Sequence, residues 1–343
     1  MFKYIRVLSI VILTHNLAFA DEACLETRYS FDVGSGAIKS TGNLVDKCQG
    51  KIIKRIGERN VHLKFEQCMV HTDSGAHIDK SCFDKTKQAI EEIENHYKID
   101  CKTSKCAGVA TEWARKAKNS QVIMDIFKEK GIYVKLLDQK QEGQLGFFTA
   151  ESHHKGIATP NDKQVVLDVG GGSFQIAIMG NDSQVHVING RYGVESMYKE
   201  VVQKYNITKP YLSAPQFEQV VSDYTKDFTK LFAQNKEVSK KLSEKHLVTF
   251  GIGRPMAVAM LEQVKLPQIV TQDDLRKISL EMSVMTEEEV QKKYPLLPQH
   301  YIRYVQGSFV LILSIMKAAG IESIQILNSK ASDYVALDPE FWW

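Results

Sequence analysis

The hydrophobic pattern is clearest at Val165–Ile178, which reads VVLDVGGGSFQIAI. A short apolar run ends at Asp168, then come glycines and a serine, and a second run alternates apolar residues at Phe174, Ile176 and Ile178. Continuous apolar runs are typical of buried strands, and alternation is typical of strands with one buried face. The stretch therefore predicts two strands joined by a glycine-rich turn, rather than the strand–turn–helix of a dinucleotide site.

A similar pattern occurs earlier in the chain. Phe31–Asn43 reads FDVGSGAIKSTGN and Leu167–Asn181 reads LDVGGGSFQIAIMGN, so Asp32 and Asp168 occupy matching positions 136 residues apart. Neighbouring glycines allow backbone N–H groups to approach an anion, and an acid at the end of a strand can hold a cation beside it. One such turn is common, whereas two strand-flanked copies predict a duplicated α/β protein that binds one phosphate between two lobes.

The rest of the chain alternates helical patterns with short strand patterns. Apolar residues recur at helical spacing and predict helices over Asp84–Tyr97, Gly193–Lys204, Ala214–Gln234 and Tyr301–Ala319. Helices that alternate with strands are typical of α/β folds.

Length and one polar stretch predict how the chain is divided. Two domains are expected for 343 residues, and Glu151–Lys163, which is polar and contains Gly and Pro, is typical of a hinge. The predicted division is a signal peptide at 1–20, lobe I with the cysteines at 21–155, and lobe II at 156–343.

The first twenty residues resemble a secretory signal. Lys3 and Arg6 precede the apolar run Val7–Leu13, and small residues within 18–20 allow cleavage after Ala20. A transmembrane anchor is the alternative, but it needs a longer apolar stretch. No later stretch is long enough to span a membrane. We therefore expect a secreted or periplasmic protein whose mature chain has no membrane span.

Composition and charge argue against one class of partner. The chain is 43% hydrophobic and 25% charged, and its formal net charge of +3 falls to +1 when two basic residues leave with the signal. A nearly neutral chain gives no support to nucleic-acid binding. The composition does not predict an oligomeric state.

The six cysteines all lie between the predicted signal and the middle of the chain. An even number of cysteines in a secreted chain predicts disulfides. Pairing of neighbours is the simplest of fifteen connectivities, and the sequence does not select among them. A zinc site is the alternative, but the chain has no Cys-x-x-Cys pair and an oxidising compartment disfavours it. The cysteines are Cys24, Cys48, Cys68, Cys82, Cys101 and Cys106.

Four short motifs carry a resemblance to a known family. Asp32–Ala37 (DVGSGA) is similar to D-I-G-S-N-S, Ala110–Arg115 (ATEWAR) to A-T-x-x-x-R, Gln141–Leu145 (QEGQL) to E-E-A-x-L, and Asp168–Ser173 (DVGGGS) to D-I-G-G-G-S. In this order they resemble the Ppx/GppA family of exopolyphosphatases and guanosine pentaphosphate phosphatases. The chain also resembles the related apyrase-type ecto-nucleotidases. The resemblance implies two actin-like (ribonuclease H-like) α/β lobes of the actin-like ATPase superfamily, with the active site in the cleft between them.

The resemblance also implies a role for each motif. Asp32 and Asp168 would hold Mg²⁺ or another divalent cation, largely through waters because Mg²⁺ dehydrates reluctantly. Arg115 offers a fork to phosphoryl oxygens, and Glu142 would activate the attacking water as the catalytic glutamate. The candidate phosphate-binding residues are Gly34, Ser35, Gly36, Gly170, Gly171, Gly172 and Ser173.

Two neighbouring residues are candidates for supporting roles. Lys39 replaces an arginine that is common beside the first loop, and Gln175 matches the apyrase form of the fourth motif, where the phosphatase form has glutamate. The chain departs from the phosphatase pattern at Ala37, at Gln141 and at Gly251–Pro255, which replaces Gly-Gly-Thr. These departures leave the identity of the substrate open.

Each assignment has a simpler alternative. Glu142 also suits a solvated first turn of a helix, where acids are favoured, and Arg115 suits an exposed helix surface. Lys39 fits a solvated strand, and Asp32 and Asp168 fit turns. The duplication of the acid favours a functional role for that pair.

The predicted function is a secreted or periplasmic, magnesium-dependent phosphoanhydride hydrolase that releases terminal phosphate from polyphosphate. The first alternative is a secreted nucleoside tri- or diphosphatase, which Gln175 and the cysteines favour. The second is a non-catalytic phosphate- or nucleotide-binding sensor, which the altered Gly251–Pro255 loop favours. Polyphosphate or a nucleotide is thus the expected partner.

Overall fold

The computed structural model describes residues 22–73, 75–153, 163–244, 247–253 and 267–342. The predicted signal with its cleavage site, most of the predicted hinge, and the Gly251–Pro255 loop beyond Gly253 lie outside the described residues. The described residues form two main β-sheets with helices packed against them.

The first sheet comes from the N-terminal half of the chain. The strands are β1 (Leu25–Val33), β2 (Ala37–Asp46), β3 (Lys51–His62), β4 (Met69–Thr72), β5 (Gly75–Ile78), β6 (Cys106–Ala110) and β7 (Tyr133–Leu136). The helices are α1 (Ser81–Tyr97), α2 (Glu112–Lys116), α3 (Ser120–Glu129) and α4 (Gln139–His153). The sheet order is β3-β2-β1-β6-β7, with β1 to β3 antiparallel and β6 and β7 parallel to β1, while β4 and β5 form a separate hairpin.

The second sheet comes from the C-terminal half of the chain. The strands are β8 (Gln164–Val169), β9 (Phe174–Met179), β10 (Val185–Gly190), β11 (Val248–Ile252), β12 (Ile269–Thr271) and β13 (Ser323–Ile326). The helices are α5 (Val194–Lys204), α6 (Ala214–Ala233), α7 (Lys236–Leu242), α8 (Gln272–Met282), α9 (Glu287–Lys293), α10 (Gln299–Ile302), α11 (Val305–Ala319) and α12 (Ala331–Val335). The sheet order is β10-β9-β8-β11-β13-β12.

The two sheets contain the predicted hairpins in the same register. Asp32 in β1 lies opposite Lys39 in β2, and Asp168 in β8 lies opposite Gln175 in β9. The next strand in each sheet is parallel to the strand that bears the acid, β6 beside β1 and β11 beside β8. The duplication predicted from the two sequence patterns is therefore present in the strand pairing.

The helices follow the apolar periodicity, with one difference. Helix α1 buries Ala89, Ile90 and Ile93, which lie at helical spacing. The long apolar run near the C-terminus was predicted as one helix over Tyr301–Ala319, whereas the chain forms α10 and then α11. Helix α11 is buried on nearly all sides, which is typical of a helix that is apolar all round.

Two helices cross from the sheet that precedes them to the other sheet. Phe147 and Ala150 of α4 pack with Val166 and Phe250 of the second sheet. Near the C-terminus, Val335 and Phe341 pack with Ala107 and Val109 of the first sheet and with Leu145 of α4. Because of these crossings, α4 links the two sheets at the place where their acid-bearing strands end.

The last residues pack onto the body of the protein. Phe341 is buried, and the indole N–H of Trp342 donates to the carbonyl of Val335 at 2.7 Å. The Arg28 guanidinium lies 4.9 Å from the centre of the Trp342 ring, which is a cation–π contact.

The cysteines pair as sequence neighbours in three disulfides, Cys24–Cys48, Cys68–Cys82 and Cys101–Cys106. This is the simplest of the connectivities that the sequence left open. All three lie in the part of the chain that forms the first sheet and its helices. No helix among the described residues has both the length and the apolar character needed to cross a bilayer.

Candidate active site

Each hairpin loop is closed by the same type of hydrogen bond. The backbone N–H of Gly34 donates to the carbonyl of Ala37 at 3.0 Å, and that of Gly170 donates to the carbonyl of Ser173 at 2.9 Å. In both loops the acid is the penultimate residue of the strand that leads into the turn. The residues between, Ser35 and Gly36 in one loop and Gly171 and Gly172 in the other, form the turns.

The two acids differ in their charged neighbours. Asp32 is buried, and its Oδ2 accepts a hydrogen bond from Lys39 Nζ at 2.7 Å. Burial and the nearby charge of Asp32 raise the pKa of Asp168 to about 6, although the Lys39 ammonium acts in the opposite direction. Asp32 and Lys39 are therefore close enough to Asp168 to influence its charge, so the structure brings the two predicted hairpin acids near each other.

Glu142 lies in the first turn of α4 and is paired with Arg115 of α2. Arg115 Nη2 donates to Glu142 Oε2 at 2.8 Å, and Arg115 Nη1 donates to the Leu137 carbonyl at 2.7 Å. The Glu142 side chain is 17% exposed. Burial raises the pKa of Glu142 to about 7, Arg115 lowers it, and the charges of Asp168 and Asp32 raise it. A carboxyl group with such a pKa can accept a proton near neutral pH.

Two glycines let α4 approach the second sheet closely. A Cβ atom at Gly143 would lie 2.3 Å from Val187 Cγ1, and one at Gly146 would lie 3.3 Å from Asp168 Oδ2. These glycines therefore allow the start of α4 to bring Glu142 beside Asp168. This role was not predicted from the sequence, in which the available signal is the pair of glycines one helical turn apart, just after the glutamate.

Helix α2 reaches both hairpins. The indole N–H of Trp113 donates to the Val33 carbonyl at 2.7 Å, which fixes α2 to the end of β1. Helix α2 also contacts the second loop. A Cβ atom at Gly172 would lie 2.0 Å from Glu112 Oε2, so the carboxylate of Glu112 is in contact with the backbone of this loop. Glu112 also pairs with Lys116, Oε1 to Nζ at 2.6 Å. Neither contact was predicted from the sequence, where Glu112 and Trp113 are only variable positions of the second motif.

The second loop is packed against two further glycines. A Cβ atom at Gly193 would lie 2.3 Å from the backbone of Gly171 and Gly172. Gly253 has a φ of +98°, and a Cβ atom there would lie 2.8 Å from Asp168 Oδ1. The described part of the altered glycine loop after β11 therefore contacts the second hairpin acid.

Gln175 of β9 is hydrogen-bonded to the second loop. Its side chain is buried, and its Nε2 donates to Ser173 Oγ at 3.2 Å. Gln175 therefore orients a candidate phosphate-binding hydroxyl. Lys39 has the corresponding register position in the first hairpin, but it pairs with the acid itself, Asp32.

The acids around the loops provide the oxygen donors that Mg²⁺ prefers. Among the described residues around the two loops, no three acidic or imidazole groups place their ligand atoms within 4.8 Å of one another. A cation at this site would therefore be held mainly through waters, which suits Mg²⁺ because it keeps several of its own. Asp32 and Asp168 fit such a cation, since each is an acid at the end of a strand that leads into a glycine-rich turn.

Comparison of the sequence with a family profile identifies the family. The sequence profile of the Ppx/GppA phosphatase family matches residues 44–329. The chain belongs to the Ppx/GppA phosphatase family. This membership confirms the predicted resemblance and the predicted class of enzyme, a hydrolase of phosphoanhydrides. The match begins after the first loop, so it includes Arg115, Glu142 and Asp168 but not Asp32, and the roles of all four residues stay predictions.

Solved structures confirm the predicted actin-like α/β fold. A Ppx/GppA family member from Aquifex aeolicus aligns with a TM-score of 0.70 at 18% identity, over 91% of this chain and 97% of that one. An exopolyphosphatase from Cytophaga hutchinsonii aligns with a TM-score of 0.67 at 14% identity, over 91% of this chain and 96% of that one. A search of curated protein sequences finds no match.

Proposed function

We propose that this protein removes the terminal phosphate of polyphosphate. The observation that carries the proposal is the position of Glu142, whose pKa is raised to about 7 beside the acids of both hairpin loops. Family membership supplies the phosphatase chemistry, and the similar protein from Cytophaga hutchinsonii is described as an exopolyphosphatase. Polyphosphate is therefore the substrate class that we favour.

The two loops would hold the terminal phosphoryl group between them. Backbone N–H groups of Gly34–Gly36 and Gly170–Gly172 would donate to its oxygens, with the hydroxyls of Ser35 and Ser173 as further donors. Asp32 and Asp168 would hold Mg²⁺ through waters, and this ion would neutralise charge on the phosphoanhydride.

Glu142 would act as the general base. It would take a proton from a water molecule as the water oxygen attacks the terminal phosphorus and the bond to the bridging oxygen breaks. The products are orthophosphate and a chain that is one phosphate shorter. Arg115 would keep Glu142 oriented through its 2.8 Å hydrogen bond and would add positive charge beside the reacting group.

Replacing the base tests the mechanism. We expect Glu142→Gln to lower kcat by about 10²–10⁴-fold, because general base catalysis contributes on that scale. Phosphate release from long-chain polyphosphate, with and without Mg²⁺, measures the effect. Glu288→Gln, a change in an exposed acid on α9, is the matched control. Equal rates for Glu142→Gln and the unmodified protein would refute catalysis by this residue.

The choice of substrate needs its own assay. The unmodified protein should release phosphate from long-chain polyphosphate faster than from ATP at equal concentrations of terminal phosphate. A preference for ATP would favour the nucleoside phosphatase instead. Tight binding of both compounds without release from either would favour the sensor.

We also infer that the protein works in an oxidising compartment. Three disulfides within the first half of the chain support this inference, because disulfides persist in secreted and periplasmic proteins. N-terminal sequencing of protein recovered from outside the cytoplasm should start at Asp21. An intact Met1 on that protein would contradict the predicted signal.

A further inference from the structure

A groove of about 510 Å³ opens beside the first hairpin loop. Its lining includes His62, Lys64, Gln67, Asp79 and Lys85, which come from the end of β3, the turn after it and the start of α1. The side chains of Lys64 and Lys85 are exposed to solvent. The proposed mechanism uses none of these residues.

The groove is joined to the first loop through the backbone. His62 pairs with Ala37, the first residue of β2 after the loop. The next turn brings the Lys64 N–H to the carbonyl of Gly36 at 3.1 Å. Lys64 has a φ of +52°, a left-handed conformation that is uncommon outside glycine, and it places this lysine at the junction of loop and groove.

The charges in the groove suit an anion that is longer than one phosphate. Among the described residues, no carboxylate lies within ion-pair distance of Lys64 or Lys85, whereas Lys39 and Lys116 near the loops are paired with acids. Asp79 is the one carboxylate among the described lining residues, and it accepts a hydrogen bond from the Ser81 N–H at 2.8 Å. The lining residues that the structure describes include no Phe, Tyr or Trp on which a nucleobase could stack.

We propose that this groove binds the distal phosphates of a linear polyphosphate whose terminal phosphate lies between the two hairpin loops. The proposal rests on the proposed function and adds a place for the rest of the chain. The ammonium groups of Lys64 and Lys85 pair with successive phosphoryl oxygens, and Gln67 donates from its side-chain amide. Each further phosphate adds charge that the two lysines can pair with, so the groove favours long chains over short ones.

The test compares chain lengths. The measured quantity is the chain-length ratio, which is kcat/KM for long-chain polyphosphate divided by kcat/KM for tripolyphosphate. Lys64→Gln/Lys85→Gln should lower this ratio by about tenfold, mostly by raising KM for long chains. The effect is modest because each exposed pair of a lysine and a phosphate contributes little binding energy. The matched control is Lys87→Gln, which removes a charge from the same helix outside the groove and should keep the ratio. Lys64→Arg/Lys85→Arg should also keep it.

A second variant should improve binding of long chains, which is a result that a misfolded protein could not produce. Asp79→Asn can still accept the Ser81 hydrogen bond but removes the negative charge, so KM for long chains should fall by about twofold to fivefold. The effect should shrink in high salt, because salt screens exposed charges.

The outcomes separate the groove from the proposed function. An unmodified protein that hydrolyses no polyphosphate overturns the proposed function itself. An active protein whose chain-length ratio is unchanged in the double Gln variant overturns only the groove and leaves the proposed function intact. An equal rise in KM for ATP and long chains would also overturn it, because the groove would then not be specific for polyphosphate.

Discussion

The two hairpins share one sequence pattern and one register but differ in the residue that faces the acid across the strand pair. Asp32 faces Lys39 across its strand pair and is hydrogen-bonded to it at 2.7 Å. Asp168 faces Gln175, which is neutral and turns instead to Ser173. The first acid is thus compensated within its own hairpin, whereas burial and Asp32 raise the pKa of the second to about 6.

The loops also differ in packing. A Cβ atom at Gly36 would meet nothing within 4 Å, whereas one at Gly193 would overlap the backbone of the second loop. The first loop is therefore open at Gly36, and the second is packed against Gly193 and against Glu112 of α2. The two turns thus share a sequence pattern but differ in how closely the rest of the chain packs on them.

The largest expected effect follows from this difference in packing. Gly193→Ala should destabilise the protein by about 3 kcal/mol, because its methyl group would lie 2.3 Å from the backbone of Gly171 and Gly172. Gly36→Ala should cost less than about 1 kcal/mol, because its methyl group meets open space. Urea unfolding measures both changes. Equal losses would remove the contrast between an open and a packed loop.

The next effect follows from the charges. The pKa of Asp168 is raised on folding, so its stabilising contribution is present at low pH and is lost as the pH rises through about 6. In metal-free buffer at pH 8, Asp168→Asn should therefore stabilise the protein by about 2 kcal/mol, and the gain should vanish near pH 4. Thermal unfolding at the two pH values measures this difference.

Asp32→Asn is the comparison variant, and it should lower Tm at pH 8 because Lys39 loses the carboxylate that accepts its hydrogen bond. If Asp32→Asn raised Tm as much as Asp168→Asn, the two acids would not differ in how far a nearby positive charge compensates them.

The next expected effect, smaller than these changes in stability, is on the pH dependence of activity. Glu142 must be ionised to accept a proton, and its pKa is raised to about 7. Without other limiting groups, kcat/KM should rise about tenfold per pH unit below pH 7 and level off above it. Initial rates from pH 5 to 9 at constant ionic strength measure the profile. A rate that stays flat from pH 5 upward would show that no group with this pKa limits the reaction.

The smallest expected effect links the two hairpins. The Lys39 ammonium lowers the pKa of Asp168, so Lys39→Met should raise that pKa and move to higher pH the range over which the charge of Asp168 costs stability. Thermal unfolding from pH 4 to 8 in metal-free buffer measures this range, and Lys116→Met, which removes the partner of Glu112, serves as a control for the loss of a nearby charge. A range that moves equally in both variants would show a general effect of charge rather than a link between hairpins.

The sequence by itself determined the hairpins, the class of fold and the family. The repeated acid and glycines around Asp32 and Asp168 are local patterns, and the strand pairing follows from alternation within each pattern. The simplest pairing of the cysteines also agrees with the structure. These features depend on residues that are close along the chain, so a reader of the sequence can find them.

Tertiary structure decided what surrounds each acid. The packing of α4 on the second sheet through Gly143, the contact of Glu112 with Gly172, and the position of Lys64 beside Gly36 all join residues far apart in sequence or in different lobes. Burial depends on all the elements that enclose a group, and it is burial that raises the pKa of Glu142. A motif therefore identifies a candidate base, but only the folded chain gives that base its proton affinity.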